Sequence, residues 1–283
     1  MKKGFLFIFL FLQVTTGFTQ EQHGLGALLM EASAYEALPK YQFSKQELTI
    51  ADIDRYILNT PPPGDQGSMG SCVGWGVGYA FFSKYLFSDG SPCIWDANTI
   101  RSPSYIYNQI KLGDCNSGAY IIAGFGIICH QGACSLALMP YVDGDCSTVH
   151  KAPQGDDALN HRLRWWPSHN PDNTNRCTLL PYTINPRDID QLKAVLHKNW
   201  PVVIGFKVNT SFDQMWAIDG IWKTYSGNVR GGHCAAIVGY DNIKKMFKVQ
   251  NSWGTNGGDQ GFFWVTYDLV QNGCFQEAYI PVR

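Results

Sequence analysis

Hydrophobic residues in the first half of the chain recur at the three- and four-residue spacing of amphipathic helices. Three stretches follow this pattern, and they predict helices over residues 72–87, 102–114 and 119–132. The first of them carries glycines at positions 74, 76 and 78, each of which weakens a helix by ~1 kcal/mol relative to alanine. We therefore expect that this helix packs tightly against a neighbouring backbone, with Ser71 as its N-cap.

The pattern changes in the second half, after a polar stretch from Val142 to Cys177. One more helix is predicted over residues 188–199. It is followed by runs rich in valine, isoleucine and aromatic residues, separated by Gly, Asn and Asp, which predict strands. These runs cover residues 201–208, 220–225, 234–241, 245–253 and 261–268. Helices first and strands second indicate an α+β fold.

The N-terminal residues are typical of an export signal. Lys2 and Lys3 precede nine apolar or small residues, 4–12, a run too short to span a bilayer but typical of a signal peptide. We expect residues 1–19 to be removed and the mature protein to be secreted or periplasmic, without a membrane segment. The alternative is that the run serves as a short N-terminal anchor.

Composition narrows the possible functions further. The 283 residues carry a formal net charge of −1 and no run of lysine or arginine, which argues against nucleic acid as a partner. There are nine cysteines, an odd number. Disulfides persist outside the cytoplasm, so at least one thiol of an exported chain has no partner within it.

Cys72 is a candidate for that thiol, although a disulfide or a packing role is also open. It lies where a helix is predicted to begin, and the N-terminal end of a helix dipole stabilises the thiolate, which is the reactive form. A histidine would activate it further. Of the seven histidines, His233 begins an apolar strand after two glycines, which leave room for a ligand.

On its own, His233 would more often be an ordinary buried histidine. The presence of Asn251 favours a catalytic role instead. Its side-chain carbonyl can accept a hydrogen bond from a histidine ring and fix the tautomer, and Trp253 can cover that bond. With Gln66 six residues before Cys72, the order Gln, Cys, His, Asn is highly specific.

These segments resemble the papain-like cysteine peptidases. The stretches "QGSMGSCVGW", "GGHCAAIVGYD" and "QNSWGTNGGDQGFFWV" are similar to the three catalytic blocks of that family, and "DCNSG" is similar to its glycine-rich substrate loop. The resemblance implies that Cys72 is the nucleophile and His233 the general base and acid, paired as thiolate and imidazolium. It also implies that Asn251 orients His233, and that Gln66 and the Cys72 N–H bind the oxyanion.

The resemblance also implies where a substrate lies and how the chain is organised. Substrate-binding positions are Gly70, Gly118, Gly232 and Trp253, of which Trp253 also shields the His–Asn bond. The expected domain spans residues 45–283, with a helical half over 60–160, an antiparallel β-barrel-like half over 161–283 and the cleft between them. A short N-terminal or pro segment, 20–44, precedes it, and we expect no long autoinhibitory domain. Peptides or proteins are the expected substrates of a monomer that uses no metal and no cofactor.

Two positions depart from the family pattern. Met69 stands where the family has a cysteine, which removes a disulfide to the glycine-rich loop and leaves open what braces this segment. Cys115 is then expected to pair with Cys146 or Cys93, and Cys234 to be a small buried residue. Gly257 replaces a second tryptophan, so that shielding of the site is expected to rest on Trp253 alone.

Two other functions fit the same residues. A papain-like domain that has lost activity would be a binding module. An enzyme with the same triad would be an acyltransferase if an amine, and not water, accepted the acyl group. Labelling of the thiol together with peptide cleavage separates these from a peptidase.

Overall fold

The computed structural model describes residues 23–49, 53–163 and 181–281. The predicted signal peptide and Cys177 lie outside the described residues. None of the helices within these ranges is both long and apolar enough to cross a membrane.

The predicted helices are present in the first half and at the start of the second. The α-helices are α1 Ala32–Glu36, α2 Lys45–Leu48, α3 Ser83–Tyr85, α4 Pro103–Ile110, α5 Ile121–His130, α6 Ala152–Asn160, α7 Ile189–His197, α8 Thr210–Ile218 and α9 Tyr267–Gln271. A π-helix, Gly74–Phe82, leads directly into α3. The prediction over residues 72–87 thus has the right position, but most of the helix has the wider i→i+5 turn.

The glycines of the π-helix lie where other parts of the chain come very close. A Cβ on Gly74 would lie 2.5 Å from the Pro103 carbonyl oxygen, and one on Gly76 would lie 2.5 Å from the Cys234 sulfur. This confirms that the helix is tightly packed. Ser71 is not its cap, because its hydroxyl instead forms a 2.7 Å hydrogen bond with the Tyr141 hydroxyl.

The strands form one large sheet and one small one. They are β1 Ala27–Leu28, β2 Arg55–Ile57, β3 Ala119–Tyr120, β4 Tyr182–Thr183, β5 Val202–Asn209, β6 Ile221–Trp222, β7 Val229–Asp241, β8 Met246–Gln250, β9 Phe262–Thr266 and β10 Phe275–Ile280. The large sheet has the order β4-β10-β5-β7-β8-β9-β6, with β2 also paired to β7, and β1 pairs only with β3.

The large sheet is not a closed barrel, which corrects the barrel-like expectation. Its end strands β4 and β6 are not paired with each other in the part of the chain that the structure describes, and β6 runs parallel to β9. The α+β class itself is confirmed. One core, rich in aromatic side chains, packs between the large sheet and helices α7, α8 and α9, and a second lies between the π-helix, α4 and α5. Cys72 belongs to the second core, and β7 borders both.

Candidate active site

His233 and Asn251 meet through the pairing of two neighbouring strands. His233 lies on β7, whose partner β8 ends at Gln250, so that Asn251 follows directly. Nε2 of His233 and Oδ1 of Asn251 lie 2.7 Å apart, and both side chains are buried. The other ring nitrogen, Nδ1, is buried without a hydrogen-bond partner among the described residues. The Asn251 contact therefore leaves Nδ1 available for proton transfer.

Two tryptophans enclose this pair, where one was expected. The Trp253 ring lies 4.9 Å from the His233 ring, and the Trp216 ring packs at 87° against Trp253 at 5.5 Å. Trp216 comes from α8 and lies over Gly257, where a Cβ would be 2.2 Å from its Nε1. The expectation that Trp253 alone shields the site is therefore wrong, because Trp216 reaches the same region from a distant part of the sequence.

Gln66 is held on every side. Its Oε1 accepts from the Ser252 hydroxyl at 2.6 Å, and its backbone N–H donates to the Ser252 carbonyl at 2.8 Å. Nε2, at the other end of the amide, donates to the Met69 carbonyl at 2.9 Å, a contact that only the NH2 end can make. The second Nε2 hydrogen is directed into the cleft, as an oxyanion donor has to be.

The segment from Gln66 to Cys72 is braced without a cysteine at position 69. Met69 is buried in a cluster with Tyr107 and Cys146, and Cys115 and Cys146 form a disulfide. The Tyr141 hydroxyl donates to the Gln66 carbonyl at 2.7 Å. Packing and the Tyr141 hydroxyl thus hold this loop, and Cys146 is the partner of Cys115. Cys234 is free and buried, as expected.

The cleft between the two halves is occupied by residues 23–30, which we call the strap. The Gly24 carbonyl accepts a hydrogen bond from Gln66 Nε2 at 3.0 Å. Gly26 donates to the Gly232 carbonyl at 3.2 Å and accepts from Ala119 N–H at 2.8 Å. β1 of the strap continues beside β3 in a parallel pair. An extended peptide therefore already lies in the cleft, paired through its main chain on both sides.

Each predicted substrate-binding position contacts the strap or faces it closely. A Cβ on Gly118 would lie 2.6 Å from the Gly26 carbonyl oxygen, and one on Gly232 would lie 2.1 Å from that of Ala27. The carbonyl oxygen of Gly70 would be 1.8 Å from a Cβ on Gly26.

The ends of the strap have their own anchors. His23 stacks on Trp253 with ring centroids 5.3 Å apart, and its carbonyl accepts from Arg230 Nη1 at 2.8 Å. At the other end, the backbone N–H of Met30 donates to the buried carboxylate of Glu277. Burial raises the pKa of that carboxyl group.

Burial in the covered cleft sets the direction of the pKa shifts of Cys72 and His233. Burial raises the pKa of the Cys72 thiol to about 12. Burial lowers the pKa of His233 to about 3, against the opposing effect of the Asn251 hydrogen bond and with the added effect of the Arg230 charge. With the cleft covered, both groups are neutral at pH 7. The thiolate–imidazolium pair expected from the sequence is therefore disfavoured in this arrangement, because neither charge has access to water.

The strap, Trp216, Tyr141 and Arg230 were all missed by the sequence analysis. The only local signal for the strap is the pair of glycines in "HGLGALLM", which allow close approach to another backbone. No short motif marks the other three, because each meets the site through a long-range contact.

Comparisons with known proteins agree with this arrangement. A family model described as "Papain family cysteine protease" matches residues 61–282. "Cathepsin B-like CP2" of Giardia intestinalis is 25% identical over 280 residues, which cover 93% of this chain and 85% of that protein. An uncharacterized peptidase C1-like protein of Acanthamoeba polyphaga mimivirus is 29% identical over 222 residues, and the match spans 64% of its length.

Solved structures show the same fold. Xylellain, a cysteine protease from Xylella fastidiosa, superimposes with a TM-score of 0.68 and 24% identity, covering 90% of this chain and 92% of that one. A procathepsin B from Trypanosoma congolense gives a TM-score of 0.65 at 17% identity, covering 92% and 86%.

Proposed function

This chain belongs to the papain family of cysteine proteases, and from that premise we propose that it hydrolyses peptide bonds through Cys72, His233, Asn251 and Gln66. The observation that carries the proposal is the strap carbonyl of Gly24 on Gln66 Nε2. The donor proposed for the oxyanion already binds a peptide carbonyl. The buried His233–Asn251 contact supports the roles of the other two residues.

The proposed reaction begins when Nδ1 of His233 takes the proton of Cys72. The sulfur attacks the substrate carbonyl carbon, and its oxygen becomes an oxyanion bound by Gln66 Nε2 and the Cys72 N–H. One such donor typically contributes ~3 kcal/mol to lowering the barrier. His233 then gives its proton to the leaving amine, and an acyl-enzyme remains. Water, deprotonated by His233, attacks that thioester and releases the acid and the thiol.

We also propose that the protein acts outside the cytoplasm on peptide or protein substrates. The Cys115–Cys146 disulfide supports an oxidising compartment, in line with the signal peptide read from the sequence. N-terminal sequencing of the exported protein tests this, with cleavage before Gln20 as the expected result.

Thiol labelling tests the catalytic assignment. An epoxysuccinyl inhibitor should label Cys72, and the label should be lost in Cys72→Ala and His233→Ala. The labelled position is read by peptide mapping, and cleavage of a peptide library is measured in parallel. If neither labelling nor cleavage were observed under reducing conditions, the binding module would be the remaining alternative. Labelling with transfer of the acyl group to an added amine, and no hydrolysis, would indicate an acyltransferase.

A further inference from the structure

Arg230 presents a fixed donor to the cleft. Its Nη2 and Nε bond the two carboxylate oxygens of Asp213 at 2.9 and 3.2 Å, and its guanidinium lies 5.5 Å over the Trp253 ring. A guanidinium held in this bidentate way has its plane and remaining N–H groups set in advance. The remaining nitrogen, Nη1, donates to the His23 carbonyl of the strap at 2.8 Å. This donor serves a peptide main chain and not another part of the domain.

The strap shows which groups of the cleft bind a peptide main chain. Gln66 binds the carbonyl of Gly24, and Arg230 binds the carbonyl one residue before it. We propose that Arg230 is a substrate-binding residue whose Nη1 donates to a main-chain carbonyl of the substrate half that lies against Trp253. This rests on the proposed peptidase function.

The substrate half that lies against Trp253 is the one that leaves as an amine, so a substrate runs through the cleft in the direction opposite to the strap, in which His23, the residue on Trp253, precedes Gly24. The leaving nitrogen must come within reach of the His233 ring, because His233 protonates it. The Trp253 ring lies 4.9 Å from that ring, and the Arg230 guanidinium lies 5.5 Å from the Trp253 ring. Arg230 therefore acts beyond the scissile bond.

The charges around Arg230 favour a neutral carbonyl over a carboxylate. Asp213 already neutralises the guanidinium, and the Asp65 carboxylate lies 3.6 Å from the ring of His23 at the same end of the cleft. Two carboxylates and one guanidinium leave a negative excess there, which repels an anionic group. A peptide that continues past the scissile bond therefore fits this site better than one whose free carboxylate lies there.

The test compares two substrates on the full chain. Both have the same residues before the scissile bond. One continues for four residues after it, and the other ends in a 2-naphthylamide, whose leaving group has no carbonyl to offer Arg230. In Arg230→Met, the ratio of kcat/KM for the long substrate to that for the short one should fall about tenfold, chiefly through KM. Because both values come from one preparation, the fraction of molecules with an open cleft cancels.

Arg55→Met is the matched control, because it makes the same substitution at an exposed arginine, on β2. It should leave the ratio within about threefold of the wild-type value. An unchanged ratio in Arg230→Met, and in Arg230→Gln as a second folded variant, would overturn the proposal. A second result would also overturn the proposal. This is a preference for a substrate whose free C-terminal carboxylate lies at Arg230 over the same substrate with a C-terminal amide. If neither the wild-type chain nor a Gly26→Ala variant, in which a Cβ would lie 1.8 Å from the Gly70 carbonyl oxygen and force the strap out of the cleft, cleaved either substrate, the proposed function would fail, and this proposal with it.

Discussion

Adding a single methyl group to the strap should expose Cys72. A Cβ at Gly26 would lie 1.8 Å from the Gly70 carbonyl oxygen and 2.4 Å from its carbon, both of them backbone atoms that cannot turn away. Gly26→Ala therefore forces the strap out of its position. The substitution replaces none of the residues assigned to catalysis.

The size of the effect follows from the hydrogen bonds that Gly26 makes. The displaced residue loses two hydrogen bonds: the one that Gly26 donates to the Gly232 carbonyl and the one that it accepts from the Ala119 N–H. At about 1 kcal/mol each, the covered state loses about 2 kcal/mol. Since 1.4 kcal/mol corresponds to a tenfold change in an equilibrium constant, the population with an open cleft should rise about 30-fold. A probe that reacts only with the open form should label Cys72 faster by the same factor.

The assay is the rate of Cys72 alkylation by an epoxysuccinyl probe, read by mass spectrometry of the Cys72 peptide. Labelling of Cys93, a partly exposed free thiol, in the same samples provides an internal reference. Gly126→Ala is the control variant, because a Cβ there meets no atom within 4 Å. If Gly26→Ala labelled Cys72 no faster than Gly126→Ala does, the strap would not be what limits access to the thiol.

Three further changes have defined outcomes. Gln66→Ala should lower kcat per titrated active site about 100-fold through loss of the oxyanion donor, and a loss below threefold would remove Gln66 from the mechanism. Gly257→Ala should displace Trp216, whose Nε1 would be 2.2 Å away, and lower kcat about fivefold as water reaches the His–Asn bond; steady-state kinetics alongside unchanged circular dichroism would show this. Glu277 has a raised pKa in the folded chain, so the folded state binds more protons than the unfolded one and stability falls as pH rises from about 4.5 through that raised value. Glu277→Gln, made in an inactive background, should remove this slope in urea midpoints measured from pH 4 to 7, and a slope that persisted would assign it to other groups.

The elements and the residues proposed for catalysis could be read from the sequence for one physical reason: their signals are local. Hydrophobic periodicity predicts α5, α7 and the strands. The sequence motifs around Cys72 and His233 are each about ten residues long. The sheet was harder to predict, because closure depends on whether its end strands pair, and a pattern of alternating residues does not contain that information.

Contacts between distant segments account for the errors at the site. Trp216 reaches Trp253 because Gly257 leaves room for it, although the two tryptophans are 37 positions apart in the sequence. Tyr141 braces Gln66 across a separation of 75 residues. The pKa of Cys72 could not be predicted either, since it depends on a strap that follows from no motif.

Covalent attachment to the domain explains how so short a strap can fill the cleft. Its main-chain bonds are individually worth about 1 kcal/mol, and a free peptide of this length would have to offset the entropy of association as well. The strap avoids that cost because the chain behind it is fixed: the Tyr35 hydroxyl of α1 donates to the Ala278 carbonyl at 3.0 Å and accepts from the Ala278 N–H at 2.8 Å. Only four residues separate this anchor from Met30, so the local concentration of the strap at the cleft is high. The residues between, Glu31 to Ala34, are exposed. A single cut there would turn the strap into a free ligand, and the same weak bonds that hold it while tethered would then let it leave.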